Sequence, residues 1–301
     1  MSPSKSLPIR LLTHNIRLAI ESPSEGEEKW NIRSSRIINE LRFNTRHCPT
    51  TFICLQEVLR SQLLDILDNL NKDEDKWAYI GVGRDDGEEA GEYSPIFYQS
   101  AIWTLKFQKT VWLSDTPDRP SKSWDAASTR ILTVGKFEHR ESKKTIIALN
   151  THLDDQGSRS RLEAAKIILE EVSHLADHED DLTKLPIFLA GDFNSEPSQE
   201  AYETITSDDS PFSDLHHLVP DSMKYGDLHT FTGFRPGTSP PRRIDFLFIN
   251  HHPPKHASDS AGFPIGTPPW DVVGYCILPN RFEDAIYSSD HRAVVGDLLL
   301  C

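Results

Sequence analysis

Six short stretches of the chain carry residue types that hydrolytic chemistry needs. Gly191-Asp192-Phe193-Asn194 sets a carboxylate and a carboxamide two residues apart. In an extended chain alternate side chains share a face, so Asp192 and Asn194 point one way and Phe193 points into a core. Such a carboxylate can take a proton from water while the carboxamide orients a phosphoryl oxygen; the plainer use is an Asx turn closing a strand. Gly191 would let the backbone come close to a ligand. Asn150-Thr151-His152-Leu153-Asp154 follows the same rule, with Asn150, His152 and Asp154 on one face, and a solvent-exposed strand end is an equal reading of that stretch alone.

Ser289-Asp290-His291 places an acid beside an imidazole. Neighbours on a strand face opposite ways, so a turn is needed before both reach one site. Asp245 stands in an otherwise apolar run, Ile244-Asp245-Phe246, and a buried carboxylate needs a partner. That partner is either Arg242 or Arg243 in a salt bridge, or a histidine whose second nitrogen the carboxylate orients. Asn15 and Glu57 offer hard oxygen donors, which suit Mg²⁺ or Mn²⁺ better than a zinc site built on Cys or clustered His. His216-His217 and His251-His252 read as loop residues. A His-x-His-x-Asp-His run, a phosphate loop ending in Lys-Ser/Thr and a Gly-x-Ser-x-Gly elbow are all missing. The corresponding zinc, nucleotide-triphosphate and serine hydrolase classes lose their support.

These polar residues stand at the ends of apolar runs of strand length: residues 9–12 before Asn15, 52–55 before Glu57, 146–149 before His152 and 187–190 before Asp192. Further strands are expected at 96–98, 102–113, 131–137, 244–249, 272–278 and 293–300. Helical spacing of apolar residues predicts helices at 30–46, 61–70 and 158–174. Gly- and Pro-rich stretches at 83–91, 232–243 and 251–269 predict loops. No internal repeat or long linker divides the chain, so a single domain over 1–301 is expected, with 1–8 flexible.

The chain has 301 residues, 37% hydrophobic and 26% charged, the profile of a water-soluble globular protein. No apolar run approaches the ~18 residues of a spanning helix, and residues 1–8 lack the apolar region of a leader. Four scattered cysteines lack framework spacing. An intracellular, cytoplasmic protein is expected. A net charge of −14 leaves no electrostatic footprint for strong non-specific nucleic-acid binding. The acidic stretch from Asp85 to Glu92 is expected to disfavour long polyanions and to select small phosphodiesters.

Taken in order, Asn15, Gln56-Glu57-Val58, Asn150-Thr151-His152-Leu153, Gly191-Asp192-Phe193-Asn194, Ile244-Asp245-Phe246 and Ser289-Asp290-His291 resemble the endonuclease/exonuclease/phosphatase (DNase I-like) superfamily. The resemblance spans about residues 9–300. Stretches 81–87, 91–98, 112–117 and 124–130 look like signatures of a microbial and fungal branch.

The resemblance implies an α+β fold, a four-layer αββα sandwich of two mixed β-sheets flanked by helices, with the site at one edge. It implies a Mg²⁺- or Mn²⁺-dependent phosphoester hydrolase, foremost a phosphodiesterase attacking phosphorus in line with water. Asn15 and Glu57 would hold the metal, with Asp290 close to it. Asp192 would be the base and Asn194 the phosphate-orienting group. His152 and His291 would stabilise developing charge, with Asp245 holding His291. Asn150 would contact substrate, Tyr98 and Glu92 would line the pocket, and Arg130 would meet a phosphate oxygen through its planar donor fork. The substrate would be a phosphorylated small molecule or a short nucleic acid. The stretch from Gly191 to Pro197 with Tyr202 also resembles poly(A) deadenylases, which implies an RNA 3′-exonuclease or nucleotide phosphatase as the second reading. A binding protein that kept the fold and lost the chemistry is the alternative of a different class.

Overall fold

Strands β1 (Leu7–Asn15) and β2 (Phe52–Gln56) run parallel, and their alternate side chains enter two different cores. Leu11, Phe52 and Cys54 face one cluster, and Leu12, Ile53 and Leu55 face another. β7 (Thr145–His152) and β8 (Ile187–Asp192) repeat the pattern. Their Ile146, Ala148, Phe188 and Ala190 join Leu11 and Phe52, while Ile147, Leu149, Ile187 and Leu189 face a third cluster. Burial on both faces is why these strands are written as continuous apolar runs rather than as apolar–polar alternation.

The computed structural model describes residues 6–74, 76–177, 185–235, 237, 240–251 and 269–301. The remaining strands are β3 (Trp77–Ile80), β4 (Ile96–Gln99), β5 (Trp103–Trp112), β6 (Ile131–His139), β9 (Phe212–Asp214), β10 (Lys224–Gly226), β11 (Asp245–Asn250), β12 (Trp270–Ile277) and β13 (Val294–Leu300). They form a seven-stranded sheet in the order β10-β12-β13-β1-β2-β4-β3 and a six-stranded sheet in the order β5-β6-β7-β8-β11-β9. The first core cluster lies between the two sheets. Helices α1 (Trp30–Thr45) and α2 (Arg60–Leu70) cover the outer face of the larger sheet through Ile37, Leu41, Leu63 and Ile66. Helices α3 (Ser158–Asp177) and α4 (Glu200–Ile205) cover the smaller one through Ala165, Ile168 and Ile205. Two mixed sheets between helical layers make the four-layer α+β sandwich. A short α5 (Leu215–Leu218) packs beside β11.

Several expectations need correction. His216 and His217, read as loop residues, lie in α5. Leu7 and Pro8, expected to be flexible, pair with Leu300 and Leu299; residues 1–5 lie outside the described residues. Of the loops expected at 232–243 and 251–269, residues 236, 238, 239 and 252–268 also lie outside them. The short β3, β9, β10, α4 and α5 were not anticipated, since three to six residues are too few to establish a period. Among the described residues no helix is long and apolar enough to cross a membrane.

Candidate active site

Asp192 ends β8 and lies in register with His152 of the parallel β7 on one side and with Asp245 of the antiparallel β11 on the other. Its carboxylate accepts Asn15 Nδ2–H at 2.9 Å and the Asn194 backbone N–H at 2.9 Å. His152 Nε2 stands 3.5 Å and His291 Nε2 3.6 Å from its Oδ2. Burial, with the charge of Asp245 added, pushes the Asp192 carboxyl up to about 7, which suits a general base near neutrality. Gly191 is needed for packing: a Cβ there would meet Thr151 O at 2.1 Å, so its hydrogen side chain lets β8 lie close to β7.

The partner of Asp245 is His291, not an arginine. His291 Nδ1–H donates to both oxygens of Asp245, at 2.9 and 3.1 Å, while Arg243 pairs with Asp214 at 2.7 Å. Burial opposes charge on the His291 ring, but Asp245 and Asp192 together hold its pKa up to about 10, so it is an imidazolium. The turn demanded by Asp290-His291 is made by Ser289, whose hydroxyl donates to Asn15 O and accepts the His291 N–H. Asp192, Asp245 and His291 bring ligand atoms within 4.8 Å of one another. Because His291 spends its Nδ1 proton on Asp245 and is cationic, this trio is an ion-pair network.

Asn15 is fully buried, and its amide nitrogen bridges Glu57 Oε1 and Asp192 Oδ2, each at 2.9 Å. Its oxygen accepts the Arg17 N–H at 3.0 Å. The expected metal ligand therefore holds two carboxylates apart by hydrogen bonds. Glu57 and Asp290 both line a cavity of about 360 Å³ together with Asp192, Asn194, His152 and His291. Burial holds the Asp290 carboxyl above the usual range, and Glu57 adds to this against the pull of His291. Two oxygen-donor groups that repel each other across one cavity fit a hard divalent cation. Of the six non-glycine residues with positive φ among the described residues, three line this cavity: Arg17, Glu57 and Asn194. Backbone strain of that kind collects where surrounding structure forces side chains into a site.

Three buried donors on the same cavity have no hydrogen-bond partner: Arg84 Nε, Arg130 Nη1 and His152 Nδ1. Asn194 Nδ2 donates to His152 Nε2 at 3.0 Å, which leaves the ring proton on Nδ1. Burial, then the charges of Arg130 and Arg84, hold His152 well below its ordinary pKa, so it is neutral. Arg84 is held by a two-pronged pair with Glu92 at 2.6 and 3.1 Å, and Glu92 Oε2 lies 3.8 Å from His152 Nδ1. Arg130 is held by Asp155 at 2.8 Å and Asp154 at 3.5 Å. Asp154 is buried, not exposed. It accepts the backbone N–H groups of Ala127, Ser128, Gln156 and Gly157, fixing the loop that delivers Arg130.

Two expected site residues lie elsewhere. Tyr98 packs in the core between the sheets, its ring centroid 4.8 Å from that of Phe137, and does not line the cavity. Asn150 uses its amide on Leu55 O and Pro95 O and accepts from Gln56 Nε2, so it ties the two sheets together and has no group left for substrate. Eight lining residues were missed, among them Arg17, Arg84, Phe231 and Arg242. Arg84 immediately precedes the stretch expected to repel anions, and its side chain lines the cavity. A lone arginine before an acidic run was the signal available.

The family model for the Endonuclease/Exonuclease/phosphatase family matches residues 12–291. The chain is similar to the structure of a Bacteroides thetaiotaomicron endonuclease/exonuclease/phosphatase family protein, with 27% identity, 99% of each chain covered and a TM-score of 0.82. It is also similar to a mannosyl-6-phosphatase of that organism, with 27% identity, 96% and 99% coverage and a TM-score of 0.78. A Schizosaccharomyces pombe protein named "Probable RNA exonuclease" is 25% identical over 214 residues, 67% of this chain and 39% of that protein. The chain thus spans about two fifths of that curated relative. It belongs to the endonuclease/exonuclease/phosphatase family.

Proposed function

We propose that the chain is a Mg²⁺- or Mn²⁺-dependent phosphatase that removes a terminal phosphate from a small phosphorylated molecule. One observation carries this reading: Arg84 Nε, Arg130 Nη1 and His152 Nδ1 are buried donors without partners on one cavity. Each such donor costs roughly 1–3 kcal/mol when left unmade, and an anion that completes all three removes that cost. A phosphomonoester has three terminal oxygens to offer them, whereas a diester has two. This favours the monoester over the diester expected from the sequence, and the similarity to a mannosyl-6-phosphatase over nearly the whole chain agrees.

Glu57 and Asp290 would hold the divalent cation, which when bound supplies charge neutralisation and Lewis acidity at a phosphate oxygen. Asp192 accepts a proton from the attacking water. Asn194 spends both Nδ2 protons on His152 and Leu153, so its Oδ1 is left to accept a hydrogen bond from that water. His152 donates Nδ1–H to a non-bridging oxygen, and the His291 imidazolium, held by Asp245, stabilises charge on the phosphoryl group. One P–O bond to the leaving oxygen breaks, one to the water oxygen forms, and the water proton ends on the released alcohol.

The diester reading, an RNA 3′-exonuclease included, is favoured by the likeness to the Schizosaccharomyces pombe protein. Chelator-stripped protein would be assayed on p-nitrophenyl phosphate and bis(p-nitrophenyl) phosphate, with Mg²⁺ or Mn²⁺ added back and Asp192→Ala alongside. Metal-dependent monoester turnover lost in the variant is the expected result. Preference for the diester would replace the phosphatase reading. No metal-dependent turnover of either, with no cation bound in titration calorimetry, would point to a non-catalytic binding protein.

A further inference from the structure

The two sheets set cations at opposite ends of the cavity. In the smaller sheet, Arg130 stands just before β6, His152 ends β7, Asp192 ends β8, and Arg242 leads into β11. Neighbouring strands are about 4.8 Å apart, so β6 and β11 are separated by about 14 Å, with the base between them. The larger sheet repeats this order: Arg84 follows β3 at one end, and His291 precedes β13 toward the other. Arg84 and Arg130 own the end where the unpartnered donors meet. The organic part of the substrate must then occupy the end formed by His291, Phe231 and Arg242.

That end is built. The guanidinium of Arg242 lies over the Phe231 ring, 4.8 Å from its centroid, and the same ring meets His291 edge-on at 5.0 Å. Phe231 and Arg242 exchange both backbone hydrogen bonds, at 2.9 and 3.1 Å, which fixes the pair in place. Arg17, Arg84 and Arg130, the other arginines on the cavity, each pair with a carboxylate; among the described residues Arg242 does not. Held over an aromatic face, its fork of donors is pre-organised and unspent.

We propose that Arg242 on Phe231 is a second anion subsite, which selects substrates carrying a further phosphate on the part of the molecule that leaves. The inference rests on the phosphatase reading above. A planar fork meets a phosphate through two parallel N–H···O bonds, and Arg242 enters the cavity from β11, three strand spacings from the β6 end that carries Arg130, with Asp192 on β8 between them. The subsite also reconciles the net charge of −14 with an anionic substrate, because attraction is confined to fixed positions within the cavity.

The test uses matched pairs on the full chain with Mg²⁺: glucose 6-phosphate against glucose 1,6-bisphosphate, and adenosine 3′-monophosphate against adenosine 3′,5′-bisphosphate. The bisphosphate of each pair is expected to have a kcat/KM higher on the order of 10-fold, a typical effect of one charge-assisted hydrogen-bonded pair. In Arg242→Ala that ratio is expected to fall to about one through a rise in KM for the bisphosphate, with Arg242→Lys in between and Phe231→Leu following Ala. A wild-type ratio near one, or an equal loss on both members of a pair in Arg242→Ala, would overturn the subsite. Calorimetric titration of the same pairs into Mg²⁺-loaded protein reads the preference without turnover. Selective binding of the bisphosphate with no hydrolysis of any compound would therefore sink the phosphatase reading and support the subsite. A preference for 3-phosphoglycerate over glycerol 3-phosphate without one for the bisphosphates would reassign the subsite to carboxylates and overturn the proposal as stated.

Discussion

Asp245 accepts the Nδ1–H of His291 through both carboxylate oxygens, at 2.9 and 3.1 Å, with the two side chains 0% and 5% exposed. The pair turns a residue that burial would keep neutral into an imidazolium beside Asp192. Asp245→Asn keeps the shape and removes the charge. The ring pKa is then expected to drop well below its value of about 10, read by NMR titration of the imidazole. Turnover is expected to fall on the order of 10²-fold with little change in KM, as for loss of one transition-state donor. A ring that stayed cationic in the variant would refute the account.

Asn15 sits between Glu57 and Asp192 and gives one proton to each. Asn15→Ala leaves both carboxylates facing the cavity without that brace. We expect kcat lower by on the order of 10²-fold and a higher Mg²⁺ concentration for half-maximal rate. Asn15→Asp, which adds a third negative charge, should do worse than Ala. Equal rates in Ala and wild type would remove Asn15 from the site.

Asp154 gathers four backbone N–H groups and leans on Arg130. Asp154→Ala strands those donors, and losing charge-assisted hydrogen bonds of this kind costs roughly 2–3 kcal/mol. Urea unfolding should show that loss, and steady-state kinetics should show a larger change in KM than in kcat because Arg130 is displaced.

A methyl group at Gly191 has nowhere to go, since Thr151 O lies 2.1 Å from the ideal Cβ position and φ is +150°. The obstacle is backbone in a central strand pair, so relief requires β7 and β8 to separate. Gly191→Ala should lower Tm and reduce soluble yield. Wild-type Tm would show that the two strands can move apart cheaply.

His216 is held down to about 4 from its ordinary 6.5 by burial, then Arg243 and Lys224, against the opposing pull of Asp214. Its folded pKa is depressed, so the unfolded chain binds the proton more readily. The stability this group contributes is complete above about pH 6.5 and is lost as pH falls toward about 4. Tm should decline across that window, and the decline should be shallower in His216→Gln. Parallel profiles for the two proteins would exclude His216 as the source.

Asp192 and Asn194 were legible because period two makes their relation local: knowing that 187–190 is a strand says which neighbours share a face. The same rule misjudged Asn150 and Asp154. It tells face but not depth, and both are buried in hydrogen-bond sets supplied from other segments, Leu55 and Pro95 for one and Ala127 and Ser128 for the other. Tyr98 was expected in the pocket through the family resemblance alone; the stacking of one sheet on the other puts Phe137 against it. Arg84, Arg17 and Arg242 belong to no periodic pattern, since each lies outside the named strands and helices on a path set by contacts made elsewhere.

By itself the sequence determined the two-faced apolar strands, the order of polar residues at their ends and the family to which these belong, because strand periodicity and side-chain chemistry are properties of neighbouring residues. Only the tertiary structure decided that His291 takes Asp245 while Arg243 takes Asp214. It also decided that Asn15 braces two carboxylates, and that four arginines turn into one cavity in a chain of net charge −14. These pairings join residues tens to hundreds of positions apart, and choosing among equally charged partners depends on distances that exist only once the two sheets have packed.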